Sequence, residues 1–306
     1  MLKVVALGLA SCFALSVEAA HLPEMKQLRV NGVYLAYVED GSGPTVVFVH
    51  GANGDWRTWE PWRPTVAQRY RYVAYSLRYH WPNPWPGDGS DYSFRLHTED
   101  LAAFIRALNV GPVHLVGSSY GARLVTRVAV EHPELVRSAV ANDPGLIELI
   151  RDTPEGKAVL ADRSAAIANI REIAMAGDTP RASAMFWDYV DWIEGETSAF
   201  DQMSDVRRER WLANAPTLAL LLKQPASEPI SCDKLKAIKV PVLGTRGEHG
   251  RPWYRLTSEA FMNCLPPETS RRAVIANQAH GVARNSEAFG AAMLNFLDEQ
   301  SRTATR

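Results

Sequence analysis

Two adjacent serines lie between glycines in the segment VHLVGSSYGARLV, residues 113–125. The second of them, Ser119, stands at the centre of a G-x-S-x-G pattern that begins at Gly117 and ends at Gly121. A serine hydroxyl attacks a carbonyl carbon when a neighbouring base accepts its proton, and this pattern exposes the hydroxyl at a sharp turn. We therefore expect Ser119 to be a catalytic nucleophile, and we expect Ser118 to bond to local backbone groups.

A histidine is the usual base for such a serine, and the chain has eight. His280 is the best placed, because it lies in a loop between a late strand pattern (residues 272–275) and the last helix pattern. His50 directly precedes Gly51, and we expect it to hold the shape of its loop. The remaining histidines are expected to be structural or to lie at the surface.

The elements around these residues follow a strand–helix alternation. Apolar runs such as TVVFVHG, YRYVAYS, VHLVGS, VRSAVAND and VPVLGTRG are typical of strands that are buried on both faces. Helical patterns cover residues 57–69, 97–108 and 120–132, and residues 27–40 form a hairpin pattern around Asn31-Gly32. The predicted fold class is α/β, with a mostly parallel central sheet flanked by helices.

The strand pattern stops after Pro144 and returns only after about Leu235. Residues 154–223 instead read as helices, broken at GDTP and NAPT. This indicates an inserted helical cap over residues 146–235. Its aromatic residues, Trp187 and Trp192 among them, either form the roof of a substrate pocket or only pack the cap against the core.

Several segments together resemble the α/β-hydrolase fold superfamily, in its serine esterase and lipase-like branch with a cap. They are VFVHGANG, SLRYHWPNPW, VHLVGSSYGARL, HPELVRSAVANDPG, VPVLGTRGEHG and NQAHGVARNSEAFGAAMLNFL, in the order in which the family has them. The resemblance covers roughly residues 27–145 and 236–298, which would form the hydrolase core on either side of the cap.

The resemblance implies roles for further residues. His280 matches the catalytic histidine of the family. The backbone N–H groups of Tyr120 and Ala52 would form the oxyanion hole. The acid, however, is missing from its usual place, where this chain has Gly250. Two candidates remain, namely Asp143, as in relatives that carry the acid on the earlier strand, and Glu248.

Three residues at the active edge of the predicted sheet are substrate-pocket candidates. Asn53 either binds substrate or holds its loop. Trp81 and Trp85 lie in a Pro-, Gly- and Trp-rich loop over residues 78–93, and they either line the pocket or pack within the loop.

The overall charge of the chain narrows the range of partners. The formal net charge of -1 gives no basic field for nucleic acid or for an anionic membrane surface. No HExxH or CxxC metal motif and no dinucleotide fingerprint occurs in the sequence. We therefore expect a small-molecule substrate, no cofactor and no metal.

The N-terminus has the pattern of an export signal. Lys3 precedes an apolar run over residues 4–17, and small residues near position 19 suit a signal peptidase, so residues 1–19 are predicted to be removed. The run is too short for stable insertion in a membrane. A lipoprotein anchored through Cys12 is the alternative. After removal of the signal, Cys232 and Cys264 remain. In an oxidising compartment they would either form a disulfide or stay as unpaired buried thiols.

The resulting functional hypothesis is an exported serine hydrolase, periplasmic or secreted, that cleaves carboxylic esters of small hydrophobic or aromatic molecules. Amide, lactone, thioester and carbon–carbon bond hydrolysis use the same Ser-His-acid set and remain alternatives. Epoxide hydrolysis and dehalogenation are disfavoured, since relatives with those activities carry Asp where this chain has Ser119. A non-catalytic ligand-binding protein on the same scaffold is the alternative from another class.

Overall fold

The computed structural model describes residues 23–193, 198–281 and 286–303. The predicted signal peptide, Cys12 included, lies outside the described residues. Eight strands within these ranges form one sheet. They are β1 (Met25–Val30), β2 (Val33–Asp40), β3 (Thr45–Val49), β4 (Arg71–Tyr75), β5 (Val113–Ser118), β6 (Val136–Asn142), β7 (Val242–Gly247) and β8 (Arg271–Ile275).

The strand order is β1-β2-β4-β3-β5-β6-β7-β8. Strands β1 and β2 form an antiparallel hairpin, and β2 also pairs antiparallel with β4. All other neighbouring strands in the sheet pair in parallel. Asn31 and Gly32 form the hairpin turn with φ of 45° and 85°. Positive φ at both positions is what a two-residue turn of this type requires. The predicted α/β class with a mostly parallel sheet is confirmed.

Helices cover both faces of the sheet. They are α1 (Arg63–Val66), α2 (Phe94–Leu108), α3 (Tyr120–Glu131), α4 (Pro154–Met175), α5 (Thr179–Val190), α6 (Asp205–Leu212), α7 (Ala215–Lys223), α8 (Cys232–Lys236), α9 (Pro252–Cys264) and α10 (Glu287–Thr303). Side chains of β3 alternate between two cores. Val47 and Val49 face α2 and α3, whereas Val46 and Phe48 face α1 and α10. Both faces of the strand are therefore buried, which explains its continuous apolar sequence.

The helix expected over residues 57–69 is shorter than predicted. A 3₁₀ helix covers Trp56–Trp62, and α1 adds only four residues after it. Pro61 and Pro64 explain the difference, because a proline has no N–H to donate and its ring obstructs the α-helical turn before it. The three tryptophans of the 3₁₀ helix nonetheless pack into the core.

The described residues between β6 and β7 contain helices and loops but no strand. Helices α4 to α7 enclose an apolar cluster of their own, and this cluster also includes Trp253 and Tyr254 of α9. The breaks between α4 and α5 and between α6 and α7 fall at the predicted GDTP and NAPT segments. The cap helices thus pack on the sheet edge through α9, which follows β7.

A disulfide joins Cys232 at the start of α8 to Cys264 at the end of α9. The two residues are 32 positions apart, and closing a loop of this length restricts the unfolded chain. The double variant Cys232→Ser/Cys264→Ser is expected to lower the free energy of unfolding by about 3–4 kcal/mol. Urea denaturation measures the change. A reductant should lower the free energy of unfolding of the native protein by a similar amount and should not change that of the variant. Equal free energies of unfolding for the native protein and the variant would contradict the expectation.

Candidate active site

The ends of β5 and β6 bring two candidate residues to one edge of the sheet. Ser118 and Asn142 are paired in register as the last residues of these strands. Ser119 and Asp143 follow them directly, and the Ser119 N–H donates to the Asn142 carbonyl at 2.8 Å. In parallel sheets the carboxyl ends of the strands form the edge where ligands bind.

Ser119 has the backbone conformation of a strained turn. Its φ is 57° and its ψ is -120°, between the end of β5 and the first residue of α3. The glycines of the motif allow this turn, because a Cβ on Gly117 would lie 2.5 Å from the Gly121 carbonyl oxygen. A Cβ on Gly121 would lie 2.3 Å from the Val49 carbonyl oxygen. Strain of this kind persists where the surrounding structure fixes it, and it is common at functional sites.

His280 and Asp143 lie side by side and are both buried. Nδ1 of His280 is 3.3 Å from Oδ2 of Asp143. The other carboxylate oxygen, Oδ1, accepts a hydrogen bond of 2.6 Å from the Ser258 hydroxyl on α9. Asp143 also has a positive φ of 46°, and its N–H donates to the Thr245 carbonyl on β7. The carboxylate is thus held by two side chains, and the bond from the Asp143 backbone to β7 helps to direct it at the imidazole.

Glu248, the alternative acid, points elsewhere. Its Oε2 accepts from the Asn277 N–H at 2.9 Å, and half of its side chain is exposed. The structure therefore brings Asp143 to His280 and keeps Glu248 at the surface of the β7 turn. The usual acid position, Gly250, has a φ of 110°, and a Cβ there would lie 3.8 Å from the His280 backbone nitrogen.

Ser118 belongs to a hydrogen-bonded row across three strands. Its Oγ accepts from Asn142 Nδ2 at 3.2 Å, and Asn142 Oδ1 accepts from the Thr245 hydroxyl at 2.9 Å. This row fixes the sheet edge beneath Ser119. Ser118 also lines the central cavity, so it both stabilises the sheet edge and borders the site.

The loop after β3 lies against Ser119. A Cβ on Gly51 would lie 3.3 Å from the Ser119 Cβ, so the loop backbone reaches the nucleophile candidate closely. Ala52, the next residue, lines the same cavity as Ser119. The other expected oxyanion donor, the N–H of Tyr120, belongs to the first residue of α3. The first N–H groups of a helix have no partner within the helix, which leaves them available to an anion.

His50 fixes the loop after β3 in the way predicted. Its Nε2 accepts from the Leu77 N–H at 3.0 Å, so Nδ1 carries the hydrogen and donates to the Gly51 carbonyl at 2.8 Å. The ring is neutral and fully buried, and burial lowers its pKa to about 3. Burial likewise lowers the pKa of the neighbouring His80 to about 3.

These two histidines predict a loss of stability in acid. Between their ordinary pKa near 6.5 and the folded value of about 3, the unfolded chain binds protons that the folded protein excludes. Stability should therefore fall as the pH drops through this window, by about 1.4 kcal/mol per pH unit for each histidine. Urea denaturation from pH 7 to 4 measures the slope. His50→Gln and His80→Gln should each make it shallower, and unchanged slopes would contradict this origin.

A cavity of about 260 Å³ lies between the sheet edge and the cap. Ser119 and His280 line it from the core, together with Ala52 and Asn53. The cap contributes mostly apolar and cationic side chains: Phe186, Trp187, Val190, Met203, Arg207, Arg210 and Trp211. The volume is below the roughly 300–1,000 Å³ that is typical of pockets for drug-sized ligands. A small ligand would therefore fit.

The tryptophans proposed for the pocket divide into two groups. Trp187 lines the cavity and packs edge-to-face on Trp211 at 4.4 Å. Trp192 instead lines a separate cavity within the cap. Trp81 and Trp85 do not line the Ser119 cavity, so the structure places these three residues outside that cavity.

The reason lies in the contacts of the loop over residues 78–93. The Trp81 N–H donates to Asn214 of the cap at 2.8 Å, and its ring stacks on the Arg57 guanidinium at 3.7 Å. Trp85 donates from Nε1 to the Tyr79 carbonyl at 2.7 Å. The loop therefore packs on itself, on Arg57 and on the buried Asn214 of the cap.

Asn53 holds its loop to the cap and also faces the cavity. Its Nδ2 donates to the Ser183 hydroxyl at 2.6 Å and to the Trp211 carbonyl at 3.3 Å. Its Oδ1 is buried and has no hydrogen-bond partner among the described residues. A buried oxygen without a partner is costly, so a donor on a bound ligand would satisfy it.

Two residues of α9 next to the histidine were not identified from the sequence. Tyr254 stacks on the His280 ring with centroids 3.8 Å apart and a tilt of 21°. Burial raises the pKa of this phenol above its usual range. Ser258, which bonds to Asp143, lies four positions later. The i, i+4 spacing of polar groups on one helix face was the available signal.

In residues 23–193, 198–281 and 286–303, no helix is both long and apolar enough to span a bilayer. No cluster of three or more His, Cys, Asp or Glu side chains in the same ranges is arranged to hold a metal ion.

Part of the chain is similar in sequence to known proteins. The chain is 34% identical over 118 residues to the 2-(acetamidomethylene)succinate hydrolase of Mesorhizobium japonicum, covering 39% of this chain and 42% of that protein. It is 31% identical over 111 residues to the bifunctional epoxide hydrolase 2 of Sus scrofa, covering 36% of this chain and 20% of that protein. The matches thus span less than half the length of these curated relatives.

A solved structure and a family model cover more of the chain. The carboxylesterase CesB (YbfK) of Bacillus subtilis superposes with a TM-score of 0.72 at 17% identity, over 91% of this chain and 92% of that one, a likeness of fold. The family model for the alpha/beta hydrolase fold matches residues 44–219, which is more than half of the chain. The chain therefore belongs to the alpha/beta hydrolase fold family.

Proposed function

We propose that this protein is a serine hydrolase that cleaves carboxylic esters of small hydrophobic or aromatic molecules through a covalent acyl-enzyme. The observation that carries the proposal is the contact between buried Asp143 and His280 at the cavity into which the strained turn presents Ser119. A nucleophile, a base and an acid that orients the base are what acyl transfer by serine requires.

In the first step, the Ser119 hydroxyl attacks the ester carbonyl carbon while His280 accepts its proton. Because Asp143 accepts from the Nδ1 side of the ring, the lone pair lies on Nε2, which is the nitrogen available to the serine. The Asp143 carboxylate also stabilises the imidazolium that forms. The proton on Nε2 is then given to the alcohol as the carbon–oxygen bond breaks.

The negative charge that develops on the carbonyl oxygen needs donors. In the proposed mechanism these are the N–H groups of Ala52 and Tyr120, one from the loop after β3 and one from the start of α3. In the second step, water attacks the acyl-enzyme, His280 takes its proton, and the acid is released. Ser119 regains its hydrogen, so each cycle consumes one ester and one water molecule.

The cap side of the cavity supports small hydrophobic or aromatic groups as substrates. Phe186, Trp187 and Trp211 supply flat apolar surface opposite the nucleophile. Such surface binds rings and short aliphatic chains, and the cap restricts access of large polymers.

Amide hydrolysis is the second candidate, and one observation favours it. The buried Oδ1 of Asn53 has no partner among the described residues, and the N–H of a substrate amide is a donor that would satisfy it. The name of the Mesorhizobium relative refers to an acetamido compound, which is a reason to test amides as substrates. The same Ser-His-Asp set would serve either bond.

We also propose that the protein is exported and acts in the periplasm or outside the cell. The apolar segment near the N-terminus and the disulfide support this location, because disulfides form and persist mainly in oxidising compartments.

A fluorophosphonate probe with peptide mass mapping tests the central proposal. Labelling of Ser119 is expected, since such probes react with serines that a base has activated. An ester panel and matching amides would then identify the preferred bond. No label on folded protein would contradict the proposal and favour a ligand-binding protein on the hydrolase scaffold.

A further inference from the structure

Two cationic side chains of the cap face the cavity of Ser119. Arg207 and Arg210 lie three positions apart on α6, so they share one face of the helix with Trp211. All three line the cavity. The positive charges therefore lie beside the aromatic surface, on the same side of the site.

Two other arginines near this face already form ion pairs. Arg57, the third arginine of the cavity, donates to Asp55 at 2.9 and 2.6 Å. Arg208, on α6 itself, pairs with Asp205 at 3.3 Å. Neither Arg207 nor Arg210 forms an ion pair with any described carboxylate. Among the described residues, the cap face of the cavity thus carries two positive charges that have no ion-pair partner.

An anion is the ligand group that this arrangement would bind. The arginine guanidinium presents planar N–H pairs that match a carboxylate, and such charge-assisted hydrogen bonds are stronger than neutral ones. A carboxylate is compact enough for a cavity of about 260 Å³ that must also hold the reacting ester. Arg210 is half-buried and Arg207 is exposed, so water is excluded from only part of the contact.

We propose that Arg207 and Arg210 bind a carboxylate on the substrate, so that the preferred substrates are small anionic esters or amides. This inference rests on the proposed hydrolase function, because it names the class of molecule whose bond Ser119 would cleave. The carboxylate is held at the cap, and the scissile carbonyl lies at the sheet edge between Ser119 and the loop after β3.

Two pairs of near-isosteric substrates test the inference. In one pair the charge is on the alcohol side, 3-acetoxybenzoate against 3-acetoxybenzamide. In the other it is on the acyl side, monomethyl glutarate against its neutral carbamoyl analogue. The native protein should show a higher kcat/KM for the anionic member of at least one pair.

The double variant Arg207→Gln/Arg210→Gln should remove this preference. The ratio of kcat/KM between anionic and neutral members is expected to fall about tenfold per arginine, as for loss of one charge-assisted hydrogen bond. The kcat/KM of the neutral member is expected to change less than that of the anionic member. Arg171→Gln is the matched control, because Arg171 is an exposed residue of α4 outside the cavity. A ratio that is unchanged in the double variant, or that changes equally in the control, would overturn the inference.

A binding measurement separates this inference from the proposed function. In the Ser119→Ala background, calorimetry with intact 3-acetoxybenzoate and 3-acetoxybenzamide is expected to show tighter binding of the anion. Adding Arg207→Gln/Arg210→Gln should abolish the difference. If Ser119 is unlabelled by the fluorophosphonate and no ester turns over, the proposed function fails, while the affinities still decide the anion site. Equal affinities for both ligands would contradict it.

Discussion

Ser119→Ala is expected to lower kcat for any accepted ester by about 10⁴- to 10⁶-fold, the range seen when a serine nucleophile of this kind is removed. The physical reason is that Ser119 carries the hydroxyl that the strained turn after β5 presents to the cavity. Steady-state assays with a fluorogenic ester measure the loss. The fluorophosphonate label should disappear in the same variant.

Ser118→Ala is the matched control for this prediction. It removes the neighbouring hydroxyl, which accepts from Asn142 at 3.2 Å. Loss of that hydrogen bond is expected to cost about 1 kcal/mol of stability and to leave most of the activity. If Ser118→Ala abolished turnover and Ser119→Ala did not, the assignment of the nucleophile would be reversed. Circular dichroism of both variants shows whether either loss comes from unfolding.

The strands and the position of the nucleophile could be predicted because local sequence determines them. The apolar runs of β3, β5, β6 and β7 are buried on both faces, and this burial favours hydrophobic residues on both sides of the strand. Gly117 and Gly121 mark the turn at Ser119, since a side chain at either would collide with backbone. In these elements, local pattern and tertiary packing agree.

The acid could not be chosen from the sequence. Asp143 and Glu248 both follow strands that end at the same edge, so their spacing along the chain allows either. What separates them is where each side chain points. Ser258 of α9 bonds to Asp143, whereas the Asn277 backbone bonds to Glu248. These contacts join residues far apart in sequence, and local patterns do not encode them.

The pocket walls were the least predictable part. Trp81 lies outside the cavity because its N–H is bonded to Asn214, which is 133 positions later. The sequence of α6, DVRRERWL, is typical of a solvated polar helix and does not distinguish Arg207 and Arg210 from its other charged residues. Only the placement of α6 over Ser119 shows that they line the cavity.

Asp143→Asn is expected to lower kcat by about 10⁴-fold, as loss of the orienting acid does in other serine triads. The asparagine amide would direct an N–H at Nδ1 of His280, and the ring would then carry its own hydrogen on Nε2. In that tautomer Nε2 cannot accept the serine proton. The imidazolium would also lose its carboxylate partner.

Glu248→Gln is the control, since Glu248 keeps an exposed position, where its Oε2 accepts from the Asn277 N–H and lies 3.9 Å from Nε2 of His249. It should leave kcat within a few fold of native. The loss of kcat in Ser258→Ala should lie between those of Asp143→Asn and Glu248→Gln. This variant removes one of the bonds that direct Asp143 but keeps the carboxylate. A rank order in which Glu248→Gln costs more than Asp143→Asn would show that the acid on the β7 turn moves to His280 during turnover. The expected order, with the folded state unchanged in each variant, would instead mean that the geometry at the end of β6 is the working geometry of the site.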